Sequence, residues 1–298
     1  MKKWLVLFFG VLCVSCSAIF VRKANVDGLV SAFYRVAFAF ALAAPIYWTR
    51  AARRKGKRAL KPRNIAICMV GGLFFGLDLA FWNVSVMRSN ATIPTLLVNL
   101  SSVWVGIGAG LLLKEKAGPA HWVGTAIALL GVAVVVGLGQ VIRLKPETGV
   151  TYAIIASLFL ASYLLVTKRA RMEMDTLSVL FYSLLSSSIL LLAICLIARR
   201  PLAGYSGETW LYLACIGVIV QVGGYFSSNY ALGYLPSATV SLASLLQPVL
   251  TGVVAVLALG EQFSAQRIVG GLVVLAGICV SLQKPGKQDS AQARTPRA

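Results

Sequence analysis

Two charged residues lie inside long apolar stretches of the sequence, Arg35 within 31–49 and Asp78 within 64–87. A charged side chain in such surroundings costs about 2.5–3.5 kcal/mol on membrane-insertion scales, so each one requires a partner or a function. One interpretation is an Arg35–Asp78 ion pair that only fixes the packing of two helices. In the other interpretation, Asp78 binds an ammonium group or a proton, and Arg35 tunes the pKa of the Asp78 carboxyl.

Polar residues also recur at helical spacing in four apolar stretches, which gives each stretch one polar face. The four sets are Asp78, Trp82 and Ser85; Thr92, Thr95, Asn99 and Ser102; Gln221, Tyr225, Ser228 and Asn229; and Ser237, Ser241 and Ser244, with Gln247 and Thr251 near the same face. Four such helices predict a central polar cavity, whereas the alternative is hydrogen bonding between helices, worth about 0.6 kcal/mol per contact. The predicted cavity residues are Arg35, Asp78, Trp82, Asn83, Thr95, Asn99, Tyr163, Gln221, Tyr225, Asn229, Ser244 and Gln247.

Backbone features accompany these side chains. Pro248 removes one helical hydrogen bond and frees a carbonyl, which predicts a bend that could serve gating. Small residues predict close helix packing, at Gly106, Gly110 and Gly252 between the fourth and ninth stretches and at Gly72 and Gly76 in the third. Glu115 and Glu261 stand at the ends of apolar stretches, so they are interpreted as interfacial caps or gate residues.

The elements that position these residues are membrane helices. The chain is 58% hydrophobic and 12% charged, with mean hydropathy +0.82, and a soluble domain carries about a quarter charged residues. Ten apolar stretches approach the ~20 residues that cross a bilayer. They are 4–21, 31–49, 64–87, 91–113, 119–138, 149–168, 176–198, 207–232, 236–259 and 264–282. The prediction is an all-α polytopic membrane protein.

The ten stretches form an internal repeat with a fixed shift of 146 residues. Residues 96–134 align with 242–280 without a gap, so that Gly124 matches Gly270 and Glu115 matches Glu261. The predicted domains are 1–146 and 147–284, with five helices each, followed by a disordered cytoplasmic tail at 285–298. Five helices per half is an odd number, so the halves must enter the membrane from opposite faces as inverted repeats, an arrangement typical of secondary transporters.

The net charge of +19 follows from topology and does not indicate a nucleic-acid partner. With the N-terminus inside, 19 of the 28 Lys and Arg residues fall in inside segments and 8 in outside segments. The positive-inside rule therefore predicts that both termini are cytoplasmic. Contacts with membrane lipids follow from the same class of fold.

Other chemistry finds little support in the sequence. Cys13 and Cys16 have metal-ligand spacing, but His121 is the single histidine and no second cysteine pair exists, so no metal site is predicted. No cofactor is implied. An enzyme would need a nucleophile with a nearby base or a metal with several ligands, and an intramembrane enzyme is the alternative from another functional class.

Several motifs resemble the drug/metabolite transporter superfamily, EamA type. Ten stretches in two halves, each with a glutamate closing its fourth stretch (Glu115, Glu261), are similar to that family, as are the segments 96–100 and 246–249. The resemblance implies a bacterial inner-membrane exporter of amino acids or related amphipathic metabolites, with alternating access and possible proton coupling. A lipid or lipid-linked-sugar flippase is the competing interpretation. Monomer and homodimer both stay open.

Overall fold

The computed structural model describes residues 1–53, 60–88, 96–115, 117–137, 139, 148–259 and 265–282. Within these ranges the regular secondary structure is entirely helical. The predicted tail at 285–298 lies outside the described residues, as do Glu261 and Thr95.

The described residues include ten helices long and apolar enough to cross a membrane. They are α1 Lys2–Ala24, α2 Gly28–Ala52, α3 Pro62–Ser85, α4 Leu96–Leu113, α5 Pro119–Val136, α6 Thr148–Arg171, α7 Thr176–Ile197, α8 Gly207–Leu232, α9 Ser237–Val254 and α10 Ala265–Leu282. This confirms the predicted all-α polytopic membrane fold, and each helix overlaps the apolar stretch that predicted it.

Polar and conformationally special residues set several helix ends. Asp175 accepts the backbone N–H of Ser178 at 3.1 Å before α7, and Ser206 accepts that of Thr209 at 3.2 Å before α8. Such side chains satisfy amides that a helix start leaves without partners. After α1, Asn25 adopts a left-handed conformation with φ of 48°, which ends the helix and turns the chain toward α2.

One large buried cluster occupies the centre of the bundle and draws on both halves of the chain. Its members include Val36 of α2, Phe75 of α3, Tyr163 of α6, Leu184 of α7 and Leu232 of α8. A smaller cluster joins α5 and α10 to α9, with the buried residues Ala128, Val132, Leu242, Leu245 and Val274. The α5–α10 pair is therefore a separate layer packed beside the central bundle.

Glycines bring α5 and α10 into backbone contact. A Cβ at Gly124 would stand 2.4 Å from the carbonyl oxygen of Gly277, and a Cβ at Gly131 would stand 2.9 Å from that of Gly270. Seven residues forward along α5, from Gly124 to Gly131, correspond to seven residues backward along α10, from Gly277 to Gly270. The two helices are therefore antiparallel. The 146-residue shift matches Gly124 with Gly270 and Gly131 with Gly277, so the contacts are crossed. Two helices related by a local two-fold axis give this crossed pattern. The inverted relation of the complete halves stays a prediction.

The predicted glycine contact between α4 and α9 is wrong. The space beside Gly106 is filled by Trp122 and His121 of α5, and the nearest atom to a Cβ at Gly252 belongs to Arg267 of α10. Gly106 and Gly252 therefore leave space for large side chains of α5 and α10. The prediction for α3 is confirmed, since Gly72 and Gly76 both lie against the backbone of α7.

Two helices change pitch at matching positions of the repeat. In α4, the N–H groups of Asn99 and Leu100 bond to carbonyls three residues back, at 3.1 and 3.0 Å. In α9, a 3-10 turn spans Ser244–Leu246, and the 146-residue shift of Asn99 and Leu100 falls inside it. The fourth helix of each half is therefore tightened at the same depth. In α8, a π-helical segment, Ile216–Tyr225, has no counterpart in α3.

Candidate functional site

Arg35 is held between α2 and α8. A close approach of the two helices at Gly217, whose Cβ would stand 2.6 Å from Phe38, brings α8 alongside Arg35. Its Nε donates to Gln221 Oε1 at 2.8 Å, and its guanidinium carbon lies 5.1 Å from the centre of the Tyr225 ring. The side chain is only 7% exposed, and its Nη2 is buried without a hydrogen-bond partner. The guanidinium is thus anchored through Nε, while its Nη2 has no hydrogen-bond partner.

Asp78 faces the same region from α3. It is 4% exposed, and its Oδ1 is buried without a hydrogen-bond partner. Both Asp78 and Arg35 lie close enough to Tyr225 to act electrostatically on its hydroxyl. Among the salt bridges of the described residues, none joins Arg35 to Asp78 within 4.0 Å. The direct ion pair required by the packing interpretation is therefore not formed in this conformation.

An aromatic layer follows these polar groups. The ring centres of Phe75 and Tyr163 are 4.8 Å apart, those of Phe75 and Tyr225 are also 4.8 Å apart, and those of Tyr163 and Tyr225 are 6.3 Å apart. The rings come from α3, α6 and α8, and Phe75 and Tyr163 are each 1% exposed. Such tilted packing excludes water, and the ring of Tyr225 also faces the Arg35 guanidinium.

A second polar layer lies one turn further along α8. Tyr163 donates its hydroxyl proton to Asn229 Oδ1 at 3.0 Å. The Nδ2 of Asn229 and the Oγ1 of Thr167 are both buried without hydrogen-bond partners. Gln221, Tyr225 and Asn229 therefore mark three successive levels on one helix, as their predicted spacing required.

A charged cluster follows at the end of the bundle that carries Glu115. Glu115 Oε1 lies 3.2 Å from Lys168 Nζ, and its Oε2 accepts the Ser237 N–H at 2.8 Å and the Ser237 hydroxyl at 2.6 Å. Lys168 Nζ also donates to the carbonyls of Leu232 and Leu235, at 3.0 and 2.8 Å. We call Glu115, Lys168 and Ser237 the closing cluster. Glu115 thus caps the start of α9, one of the two roles that its position suggested.

The local backbone directs Glu115 into this cluster. The last turn of α4 is π-helical at Ala109–Leu113, and Lys114 follows in a left-handed conformation with φ of 57°. The N–H of Glu115 then bonds back to the Ala109 carbonyl at 3.0 Å. A widened turn and one left-handed residue therefore fix where the carboxylate points.

Other predicted site residues have structural contacts. Asn83 donates its Nδ2 to the Leu79 carbonyl at 2.6 Å, and its Oδ1 lies beside Gly28 at the start of α2. Ser102 donates to the Ser241 carbonyl at 3.1 Å, and Ser85 donates to the Gly149 carbonyl at 2.6 Å. Ser102 and Ser85 therefore form hydrogen bonds between helices, as the alternative interpretation predicted, whereas Asn83 bonds within its own helix.

The remaining predictions concern Trp82 of α3 and residues of α4 and α9. Asn99 is buried at the tight turn of α4, and Trp82, Ser244 and Gln247 are half-buried. Pro248 has no N–H to donate to the carbonyl of Ser244 four residues before it. That carbonyl instead accepts the N–H of Gln247. The predicted free carbonyl at Pro248 is therefore wrong, because the 3-10 turn supplies its donor. The described polar cluster is built from α2, α3, α6 and α8.

Phe75, Thr167 and Lys168 belong to this arrangement and were not among the predicted site residues. Phe75 is apolar in an apolar helix and carries no sequence signal. Lys168 had one, because the 146-residue shift aligns Lys168 and Arg169 with Arg22 and Lys23. Within the described ranges, no group of three or more His, Cys, Asp or Glu side chains is arranged to hold a metal ion.

Comparisons with known proteins agree with this architecture. The profile of the EamA-like transporter family matches residues 1–137 and 147–283. An uncharacterized transporter of Archaeoglobus fulgidus is 25% identical over 295 residues, 95% of this chain and 98% of that protein. A probable terminal-alkyne amino-acid exporter of Streptantibioticus cattleyicolor is 27% identical over 220 residues, 72% of this chain and 71% of that protein. One protein crystal structure, 19% identical in sequence, covers 95% of this chain with a TM-score of 0.80, which shows a shared fold.

Proposed function

Because the chain belongs to the EamA-like transporter family, we propose that it is a secondary transporter that exports small amphipathic metabolites such as amino acids. Substrate binds at Arg35, Asp78 and the aromatic layer, and the two halves expose that site to each side of the membrane in turn. The twin family matches and the crossed glycine contacts of α5 and α10 support this two-half mechanism.

The observation that carries the proposal is the pair of buried charged groups with unpartnered atoms. Arg35 Nη2 and Asp78 Oδ1 are both buried without hydrogen-bond partners, and the two side chains do not form an ion pair. A buried charged group without a partner is strongly unfavourable, so a ligand that supplies both partners gains binding energy. A zwitterion does so, with its carboxylate on Arg35 and its ammonium group on Asp78.

The aromatic layer favours an apolar substituent on that zwitterion. Phe75, Tyr163 and Tyr225 lie immediately beside the charged pair and offer ring faces to an alkyl or aryl side chain. The Streptantibioticus relative, a probable terminal-alkyne amino-acid exporter, is named for a substrate of this chemistry. An α-amino acid with an apolar side chain is therefore the proposed substrate class.

Asp78 also supports a role in proton coupling. A carboxylate that exchanges a proton for a substrate ammonium group links the two movements, because both cannot bind the same oxygen pair at once. The proposed location is the inner membrane of a bacterium with both termini in the cytoplasm, supported by the distribution of Lys and Arg. The closing cluster then lies at the cytoplasmic end of the bundle.

The experiment is solute uptake into liposomes that contain the purified protein, measured across a metabolite panel with and without a pH gradient. The expected result is saturable uptake of apolar amino acids, faster when the gradient is imposed. Lipid scrambling without solute flux would contradict the proposal and favour the flippase, and chemical turnover of the solute would favour an enzyme.

A further inference from the structure

We propose that the closing cluster is the cytoplasmic gate of the transport path, so that substrate enters from the cytoplasm only when Glu115 separates from Lys168 and Ser237. This inference rests on the proposed transporter function and adds the contact that must break in each cycle.

Every polar atom of the two charged groups in the closing cluster has a partner. Both carboxylate oxygens of Glu115 are engaged, one by the Lys168 ammonium and the other by the N–H and hydroxyl of Ser237. The Lys168 ammonium has three donors, and Glu115, Leu232 and Leu235 supply three acceptors. The Glu115 and Lys168 side chains are only 11% and 14% exposed. A partly buried, charge-assisted set of this kind stabilises the closed arrangement.

The contacts join the two halves of the chain. Glu115 follows α4 in the first half, whereas Lys168 ends α6 and Ser237 begins α9 in the second half. The carboxylate lies at the N-terminus of α9, where the helix dipole favours negative charge. Through the two carbonyls, Lys168 also holds the end of α8. A rigid-body separation of the halves at this end has to break the Glu115 contacts.

The cluster lies beyond the proposed site along α8. Along α8, Gln221 contacts Arg35, Asn229 contacts Tyr163, and Leu232 contacts Lys168. The closing cluster is therefore the last barrier beyond the two polar layers and the aromatic layer. The sequence keeps an acid and a base at the matching positions of the repeat, Glu261 and Arg22, as a gate at the opposite end would require.

Hydrogen–deuterium exchange tests whether the closing cluster holds the helix ends together, without requiring transport. In the full-length protein, Glu115→Gln removes the charge and keeps the size of the side chain. We expect exchange at the first turn of α9 and the last turn of α8 to rise about tenfold, the effect of losing one charge-assisted bond. Glu208→Gln is the matched control, because Glu208 is an exposed acid in the first turn of α8. Unchanged exchange in Glu115→Gln would overturn the gate.

A reversible cross-link tests the role in transport. The double variant Glu115→Cys, Ser237→Cys is oxidised in liposomes, and the disulfide is verified by mass spectrometry. We expect transport to fall more than about tenfold and to recover on reduction, while amino-acid binding, followed by thermal shift, persists. Full transport through the verified cross-link would refute the gate and leave the proposed function intact. Absence of solute transport in the wild-type protein would instead refute the proposed function. The exchange experiment would still decide whether the closing cluster holds the ends of α8 and α9.

Discussion

At the scale of single residues, the central feature is that Arg35 and Asp78 share one region without forming an ion pair. Arg35 is fixed by Gln221 and by the ring of Tyr225, so its direction does not depend on Asp78. The two charged groups can therefore hold a ligand between them. An ion pair that only fixed helix packing would instead bring the carboxylate onto the guanidinium.

The first prediction concerns the loss of these charges. Asp78→Asn should lower transport by at least about tenfold while the protein still folds, because the neutral amide lacks the negative charge that attracts an ammonium group. The double variant Arg35→Gln, Asp78→Asn should stay inactive, and uptake into liposomes is the measurement. Recovery of transport in the double variant would show that the pair acts only in packing. Asp27→Asn is the matched control, since Asp27 lies outside the spans and accepts the Leu29 N–H at 3.0 Å.

Residue type alone predicted part of this site. Arg35 and Asp78 are recognisable because charge is rare in apolar stretches, and Gln221, Tyr225 and Asn229 because they share a helical face. Phe75 and Thr167 could not be predicted, since an apolar ring and a lone hydroxyl acquire their role from neighbouring helices. Asn83 was predicted as a cavity residue, but it bonds to its own helix, a choice that spacing does not reveal.

At the scale of helices, backbone irregularities place the functional side chains. The left-handed Lys114 aims Glu115, and the 3-10 turn before Pro248 removes the need for a free carbonyl. Apolar length predicted all ten helices and most of their bounds. Pitch changes within a helix depend on tertiary packing, and hydropathy contains no record of them. The same holds for glycine partners, since Gly106 packs against α5 and not against α9.

The second prediction tests the contact between α5 and α10. Gly124→Ala should destabilise the protein by about 1–3 kcal/mol, because the new methyl group would meet the Gly277 carbonyl and the Ser281 backbone nitrogen at 2.4 and 2.6 Å. The measurement is thermal unfolding in detergent. Gly110→Ala is the matched control, as its nearest contact is 3.8 Å away. Equal melting temperatures for Gly124→Ala and the wild type would contradict the tight packing.

At the scale of the whole molecule, α8 connects the charged pair to the closing cluster, since Gln221 contacts Arg35 and Leu232 contacts Lys168. The repeat was recognisable in the sequence because glycines and glutamates recur at one shift, whereas leucine matches alone carry little information. The sequence also predicted an odd number of helices per half, from which opposite orientation follows. It could not predict the contacts of Glu115 with Lys168 and Ser237, because those contacts join residues far apart in the chain.

The third prediction is the orientation of the molecule. Reporter fusions after Arg63 and after Lys145 should report the inside and the outside of the membrane, respectively, since the inside segments hold most Lys and Arg residues. A fusion after Leu282 should report the inside and serves as an independent check on the count of ten helices. The opposite pattern would place the closing cluster at the outer end.

The liposome uptake assay tests the central claim most directly when it compares one amino acid with its two half-molecules. Labelled leucine is the substrate, and the competitors are leucine, isopentylamine and 4-methylpentanoic acid, which lack the carboxylate and the ammonium group respectively. Because Arg35 and Asp78 each contribute a charge-assisted bond, either analogue should compete at least about tenfold more weakly than leucine. Equal competition by either analogue, or no leucine uptake at all, would contradict a zwitterion site formed by Arg35 and Asp78.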